Sequence, residues 1–219
     1  PRAPGSTWAE NVTPIAVDYL KNAPTDQPFF LDVGFFETHR VFPEISPDVD
    51  LRFVRPPAPL PDTPETREDM AAYITMVKVL DDAVGQILDV LDSTGLAENT
   101  LVIYTTDHGV AFPLCKCHLT DHGMGISLIM RGQGEICGTD FAGGKIVDGM
   151  VSHVDVFPTL CDLVGANHPD WLQGKSMMPL IKGEVDEINE EIFGEVSYHA
   201  AYEPQRAVRT QRYKYIRRY

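Results

Sequence analysis

The sequence predicts an α/β fold, and three observations carry that prediction. Residues 28–36 (PFFLDVGFF) are apolar at both alternating positions apart from Asp32, the pattern of a strand covered on both sides. A long helical pattern opens at Thr63-Pro64, an N-cap followed by a first-turn proline, and stops at Gly95. Two further apolar runs, 101–105 and 126–132, read as buried strands, and 154–165 (VDVFPTLCDLVG) reads as a short helix stopped by Gly165. Strand, long helix, strand, strand, helix is the alternation of an α/β sheet protein.

Within the long helix, Met70, Ile74, Val77, Val84, Leu88 and Leu91 fall at helical spacing and are expected to form its packed face. Between the first strand and this helix, Pro56, Pro57, Pro59 and Pro61 exclude regular helix, so 41–61 is expected to be an irregular surface excursion. Loops of that length are commonly functional, and this one adjoins His39, which makes it the expected determinant of substrate preference. The chain opens on loop-like residues (PRAPGSTW) without Met or a signal peptide, and stops inside a strand-like run (YKYIRRY). A piece of a longer protein, incomplete at both ends, is the expectation.

A chain of 219 residues can bury one substantial core, and its hydrophobic fraction of 43% is ordinary. No apolar run approaches the ~20 residues that span a bilayer. The net charge of −14 argues against a sequence-independent grip on nucleic acid or on anionic membrane. The charge is uneven: six of the 18 basic residues and none of the 32 acids fall in 206–219, so this tail either faces an anionic ligand or is a solvated basic strand. Cys115, Cys117, Cys137 and Cys161 match neither a zinc ribbon nor a C-x-x-C motif, and leave the redox compartment open.

In α/β sheets ligands sit beyond the carboxyl ends of strands. Two polar clusters lie at such ends, Glu37-Thr38-His39-Arg40 and Asp107-His108. Thr106-Asp107-His108-Gly109 is repeated as Thr120-Asp121-His122-Gly123. The first copy leaves a buried strand, which gives a metal site the rigidity it needs. Its carboxylate suits Ca²⁺ or Mg²⁺ and its imidazole suits Zn²⁺, so the pair leaves the metal open. The second copy enters a strand, the opposite end, and reads as a turn, with His122 a lesser substrate-side candidate. Lys116, between the copies and flanked by Cys115 and Cys117, is placed to neutralise an anion beside the metal. His39 offers a hydrogen bond to such an anion, and His199 and Arg206 form a later polar cluster. Singly, each reads first as a turn, loop or solvated residue. Jointly they describe a pocket for a multiply charged oxyanion.

In order, PFFLDVGFFETHR, the helix with the strand and turn that follow it (REDMAAYITMVKVLDDAVGQILDVLDSTGLAENTLVIYTTDHG), Lys116, DHGMGISLIMRG, VSHVDVFPTLCDLVG and RAVRTQRYKYI resemble the C-terminal half of a type I sulfatase. The resemblance covers about 28–219 and is nearest to the heparan N-sulfatase branch and its bacterial relatives. It implies an alkaline-phosphatase-like α/β sandwich with a mixed sheet over 1–182, and the beginning of a smaller antiparallel C-terminal subdomain over 183–219. It implies Ca²⁺, ahead of Mg²⁺ or Zn²⁺, held in part by Asp107 and His108. His39 and Lys116 match the family's sulfate-contacting, catalytic histidine and lysine, and His199 and Arg206 its sugar-facing residues.

The implied reaction is hydrolysis of sulfate esters or sulfamates of a sulfated glycan, in a secreted, periplasmic or lysosomal enzyme. The family's nucleophile is a formylglycine made within C/S-x-P-x-R, whose hydrate attacks sulfur. This chain departs from that pattern. No cysteine or serine here begins such a motif, and its paired aspartates, Asp81-Asp82, lie within the long helix. The nucleophile and the remaining metal ligands are therefore expected from a missing N-terminal half of the same enzyme. Two alternatives remain: a phosphatase or phosphodiesterase of the same superfamily using Zn²⁺ or Mn²⁺, and a non-catalytic sulfatase-like binding module.

Overall fold

A computed structural model describes residues 8–141, 143–199 and 201–219, so the loop expected at 1–7 lies outside the described residues. The chain forms two compact units, Pro1–Ala97 with Ala111–Leu114, and Glu98–Val110 with Cys115–Tyr219.

The first unit is built on two packed helices, α1 (Ala9–Lys21) and α2 (Pro64–Thr94). The sequence reading did not include α1, although its buried residues Ala9, Thr13, Ala16 and Leu20 recur at helical spacing. The buried Glu37 carboxylate caps it from a distance, Oε1 accepting the N–H groups of Trp8 (2.6 Å) and Ala9 (3.1 Å). A negative group there satisfies otherwise orphaned donors and complements the helix dipole. Helix α2 begins as expected. The Thr63 hydroxyl accepts the Thr66 N–H, the Thr66 hydroxyl accepts the Thr63 N–H at 3.0 Å, and Gly95 ends the helix in the left-handed region at φ 76°.

The packed face of α2 differs from the expected one. Ala71, Thr75, Met76, Leu80, Ala83 and Leu91 are buried, and of the expected stripe only Leu91 is among them. Ala71 and Ala83 share the buried face with Met76, Leu80 and Leu91, while Met70, Ile74, Val84 and Leu88 are half-buried. The strand expected at 28–36 is also corrected. The segment is extended and alternates, with Phe29, Leu31, Val33 and Phe35 half-buried and Phe30 83% exposed, yet no ladder partner pairs with it among the described residues. An extended run becomes a strand only through a neighbour.

Residues 41–61 are irregular, as expected, and are strapped to α2. The Ser46 N–H donates to Thr75 Oγ1 at 3.0 Å, Lys78 pairs with Asp48, and Arg67 reaches Asp62 at 2.5 Å and the Leu51 carbonyl at 3.3 Å. Phe42, Tyr73 and Phe112 close a ring cluster with centroids 5.5–6.0 Å apart.

In the second unit, β1 (Val102–Thr105) pairs antiparallel with β2 (Leu128–Arg131), Val102 opposite Arg131 and Thr105 opposite Leu128. A short helix, α3 (Asp121–Met124), precedes β2, and a small hairpin of β3 (Glu135–Ile136) and β4 (Thr139–Asp140) follows it. Ile136, Phe141, Leu163 and Met178 form a core that draws in Leu101, Met130 and Ile181, with contributions from α4 (Val156–Val164) and α5 (Met178–Lys182). Asp155, 2% exposed, ties this region together. Its carboxylate accepts the N–H groups of Ser152 (2.8 Å) and Lys175 (2.8 Å) and the Asn189 amide (3.0 Å).

The chain ends in an antiparallel meander of β5 (Glu191–Tyr198), β6 (Tyr202–Thr210) and β7 (Lys214–Arg218), whose inner face carries the buried Gln205 and Ala207. Every strand pair among the described residues is antiparallel. No described helix is long and apolar enough to cross a membrane.

Candidate functional site

Because β1 and β2 are antiparallel, the exit of one and the entry of the other share an edge. The two TDHG copies meet there, the Gly109 N–H donating to the Gly123 carbonyl at 2.9 Å. The expectation that the second copy sits at the opposite end is thereby corrected; it tacitly took β2 to run parallel to β1. The edge is closed by Thr105, whose hydroxyl donates to the Ser127 carbonyl at 2.9 Å, and by the Thr106 hydroxyl, which accepts the Ser127 N–H at 3.2 Å.

Asp107 and His108 leave this closed edge together. The Asp107 side chain is 87% exposed and that of His108 33%, with Oδ2 and Nε2 3.5 Å apart. His108 Nδ1 lies 2.6 Å from the Gly109 carbonyl and therefore donates to it, which leaves Nε2 as the ring nitrogen facing the carboxylate. A carboxylate oxygen and a ring nitrogen that face each other at this distance have the spacing of two ligands of one cation. Ligands at ~2.1–2.4 Å from one ion stand about 3–4 Å apart, and a histidine ligand ordinarily donates its other ring N–H to a carbonyl. The pair fits a cation on both counts. Among the described residues no group of three or more His, Cys, Asp or Glu side chains gathers where a metal could be held, so the pair by itself makes no complete coordination sphere.

The other copy is occupied differently. Asp121 Oδ1 is 2.6 Å from Lys214 Nζ and 3.4 Å from Arg209 Nε. The Lys214 ammonium foremost, then Arg209, holds the Asp121 carboxyl below its ordinary range despite an opposing effect of burial. His122 is exposed beside it. Lys116 donates its backbone N–H to the Val110 carbonyl at 3.1 Å, and its ammonium has no protein partner among the described residues. Of its flanking cysteines, Cys115 is fully buried and burial pushes its thiol up, which makes it a poor nucleophile.

His39 lies in the first unit, whereas Asp107, His108, Lys116, His199 and Arg206 lie in the second. Its Nδ1 is 2.6 Å from the Arg40 carbonyl and its ring is 4.5 Å from that of Phe36. Arg40 fixes this turn, its guanidinium forked onto Asp69 of α2, donating to the Ala111 carbonyl at 3.2 Å and lying over the rings of Phe42 (4.4 Å) and Phe112 (5.1 Å). Arg206 is engaged along β5, with Glu195 at 3.1 Å, the Val196 carbonyl at 3.2 Å and Ser197 Oγ at 3.2 Å. His199 sits in the exposed turn between β5 and β6, its backbone N–H on the Ala201 carbonyl at 3.3 Å.

Sequence reasoning missed two side chains near the edge. His153 Nε2 is 2.9 Å from Thr105 Oγ1, and because that hydroxyl gives its proton to Ser127, His153 is the donor. The Ser152-x-x-Asp155 capping box that carries His153 was its available signal. Lys214 left none, being 95 residues from Leu119, whose carbonyl it grips at 3.0 Å.

The Sulfatase family model matches residues 2–166, and a second model, N-sulphoglucosamine sulphohydrolase, C-terminal, matches 116–219. N-sulphoglucosamine sulphohydrolase of Homo sapiens is 28% identical over 80% of this chain and 40% of its own length. An ulvan-active sulfatase of Formosa agariphila is 27% identical over 90% of this chain and 41% of its own. A solved Bacteroides thetaiotaomicron chain, from work on metabolism of multiple glycosaminoglycans, aligns with a TM-score of 0.66 at 27% identity, over 93% of this chain and 48% of its own. The chain thus spans about two fifths of the length of the curated relatives it matches. With the first family model running through the helices of the first unit, the β1–β2 edge and both TDHG turns, the chain belongs to the sulfatase family.

Proposed function

We propose that this chain forms part of a sulfatase that hydrolyses sulfate esters or sulfamates of a sulfated saccharide, with Asp107 and His108 holding a cation at the reaction centre. The observation that carries the reading is the 3.5 Å approach of Asp107 Oδ2 to His108 Nε2 while Nδ1 faces the Gly109 carbonyl. Ca²⁺ is the proposed ion, ahead of Mg²⁺ or Zn²⁺, and bound there it would draw charge from the oxygens of the transferring group. Residues 1–182 would belong to the catalytic domain and 183–219 begin a C-terminal subdomain, a reading supported by the separate β5–β6–β7 meander. Sulfated-glycan relatives support a secreted, periplasmic or lysosomal setting.

Asp107 contributes full negative charge to the cation and His108 a neutral nitrogen, so the pair alone leaves a divalent ion with net positive charge towards substrate. Lys116 adds a second positive charge: its ammonium, without a protein partner among the described residues, is free to meet a sulfate oxygen. With Nδ1 committed to the Arg40 carbonyl, His39 has Nε2 left for a sulfate oxygen or for the proton of the leaving atom. His199, on an exposed turn, and Arg206, along β5, would face the sugar. The nucleophile, a formylglycine in this reading, would come from a segment outside this sequence.

A second reading, a phosphatase or phosphodiesterase of the same superfamily, is favoured by the imidazole in the donor set, which suits Zn²⁺ or Mn²⁺ better than Ca²⁺. One assay separates the two. The whole protein is offered a saccharide bearing O- and N-sulfate, and separately a phosphate monoester and diester, and released anions are measured by ion chromatography. Sulfate release with one Ca²⁺ per protein is expected. Phosphate release with bound transition metal and no sulfate release would support the second reading and overturn the first.

A further inference from the structure

The second TDHG copy carries an aspartate whose carboxylate is paired with Lys214 and Arg209. We propose that Asp121 and Lys214 are positioning residues: they clamp the C-terminal meander onto the 119–124 segment and so hold the Asp107–His108 turn in its cation-binding geometry. The inference rests on the reading of Asp107 and His108 as cation ligands.

Lys214 opens β7, and its side chain is only 13% exposed. Its ammonium meets three groups of one short segment: the Leu119 carbonyl at 3.0 Å, Asp121 Oδ1 at 2.6 Å and Met124 Sδ at 3.5 Å. Arg209 of β6 reaches the same carboxylate oxygen at 3.4 Å, so two strands of the meander grip one acid. Lysine is suited to this, since its three ammonium protons can be shared among a carbonyl, a carboxylate and a sulfur arranged around it. Met124 also lies beneath the meander: a Cβ on Gly194 of β5 would come 2.7 Å from its terminal methyl carbon.

From this segment to the cation pair there is no slack. A Cβ on Gly123 would lie 2.0 Å from the His118 carbonyl oxygen and 2.2 Å from that of Cys115. A Cβ on Gly109 would lie 1.8 Å from the His122 carbonyl oxygen. The backbones at 109, 115, 118 and 122–123 are therefore stacked at a spacing only glycine permits, and the Gly109–Gly123 hydrogen bond fastens them. Gly109 in turn follows His108 directly and receives its Nδ1 proton. A shift of the 119–124 segment cannot be absorbed before it reaches the residue that sets the orientation and tautomer of His108. Partners that orient a ligand in this way are worth about 10- to 100-fold in metal affinity.

The test is Ca²⁺ binding by the whole protein, measured by titration calorimetry with Ca²⁺ alone as probe, on the parent, Asp107→Ala, Asp121→Asn, Lys214→Met and Ile136→Ala. Ile136 belongs to the core cluster and serves as a variant destabilised elsewhere. Asp107→Ala should abolish binding. Asp121→Asn and Lys214→Met should each weaken it about tenfold, with Ile136→Ala lowering Tm but keeping the parent's affinity. Should Asp121→Asn fail to fold, Lys214→Met decides alone. If Asp107→Ala loses Ca²⁺ while Lys214→Met binds like the parent, or if Ile136→Ala weakens binding as much as Lys214→Met, the clamp is overturned and the cation reading stands. If Asp107→Ala binds Ca²⁺ like the parent, the cation reading itself falls and the clamp with it.

Discussion

Asp107 and His108, neighbours in sequence, place a carboxylate oxygen and an imidazole nitrogen 3.5 Å apart on the same edge of the β1–β2 pair. Consecutive residues in an extended strand point to opposite faces. Here the strand has already ended at Thr105, which frees both side chains to turn to one side.

The proposed mixed donor set of Asp107 and His108 can be retuned at one position. His108→Asn exchanges a nitrogen for an amide oxygen, which hard cations prefer. The variant should keep Ca²⁺ affinity and lose Zn²⁺ affinity by at least about tenfold, whereas His108→Phe should lose both. Parallel calorimetric titrations with the two ions check this; an Asn variant that prefers Zn²⁺ would show that His108 is not a ligand.

Two Gly→Ala substitutions should move stability in opposite directions. Gly109→Ala forces a Cβ to within 1.8 Å of the His122 carbonyl oxygen, a rigid backbone atom, and should destabilise the protein by about 1–3 kcal/mol or more. Gly85→Ala, inside α2 with nothing within 4 Å of the new Cβ, should stabilise it by about 0.5–1 kcal/mol. Urea unfolding of both variants reads the difference.

Acid should unfasten the Asp121–Lys214 pair. The folded-state carboxyl of Asp121 is depressed by Lys214, so the pairing stabilises the fold fully above the ordinary unfolded carboxylate value, roughly 3.9. That stabilisation disappears as pH falls through the depressed folded value. Lys214→Met should therefore cost most stability near neutral pH, with the gap narrowing as pH falls below ~4. Urea midpoints of parent and variant across that range measure it. A cost that does not change with pH would place the effect in packing of the lysine stem.

What the sequence revealed divides along physical lines. Helix α2 was legible at both ends because Thr63, Pro64 and Gly95 act through local backbone geometry. Its packed face was not, because the stripe was read from large apolar side chains, whereas the buried face includes the small Ala71 and Ala83 and the polar Thr75. Residues 28–36 showed strand chemistry, but pairing depends on a neighbour that local pattern does not encode. The two TDHG copies were legible as motifs and were misplaced relative to each other, since strand direction is a tertiary property. Lys214 was invisible for the same reason, with its carbonyl partner 95 residues away.

The most direct test of the central claim is a crystal structure of the whole protein grown with Ca²⁺ and a sulfated saccharide or inorganic sulfate. The account predicts one cation bound by Asp107 Oδ and His108 Nε2 at about 2.0–2.6 Å, with Lys116 and His39 on the sulfate oxygens and Asp121 still paired with Lys214. A cation seated on Asp121 and His122, or a sulfate bound away from Lys116 with Asp107 facing bulk solvent, would contradict it.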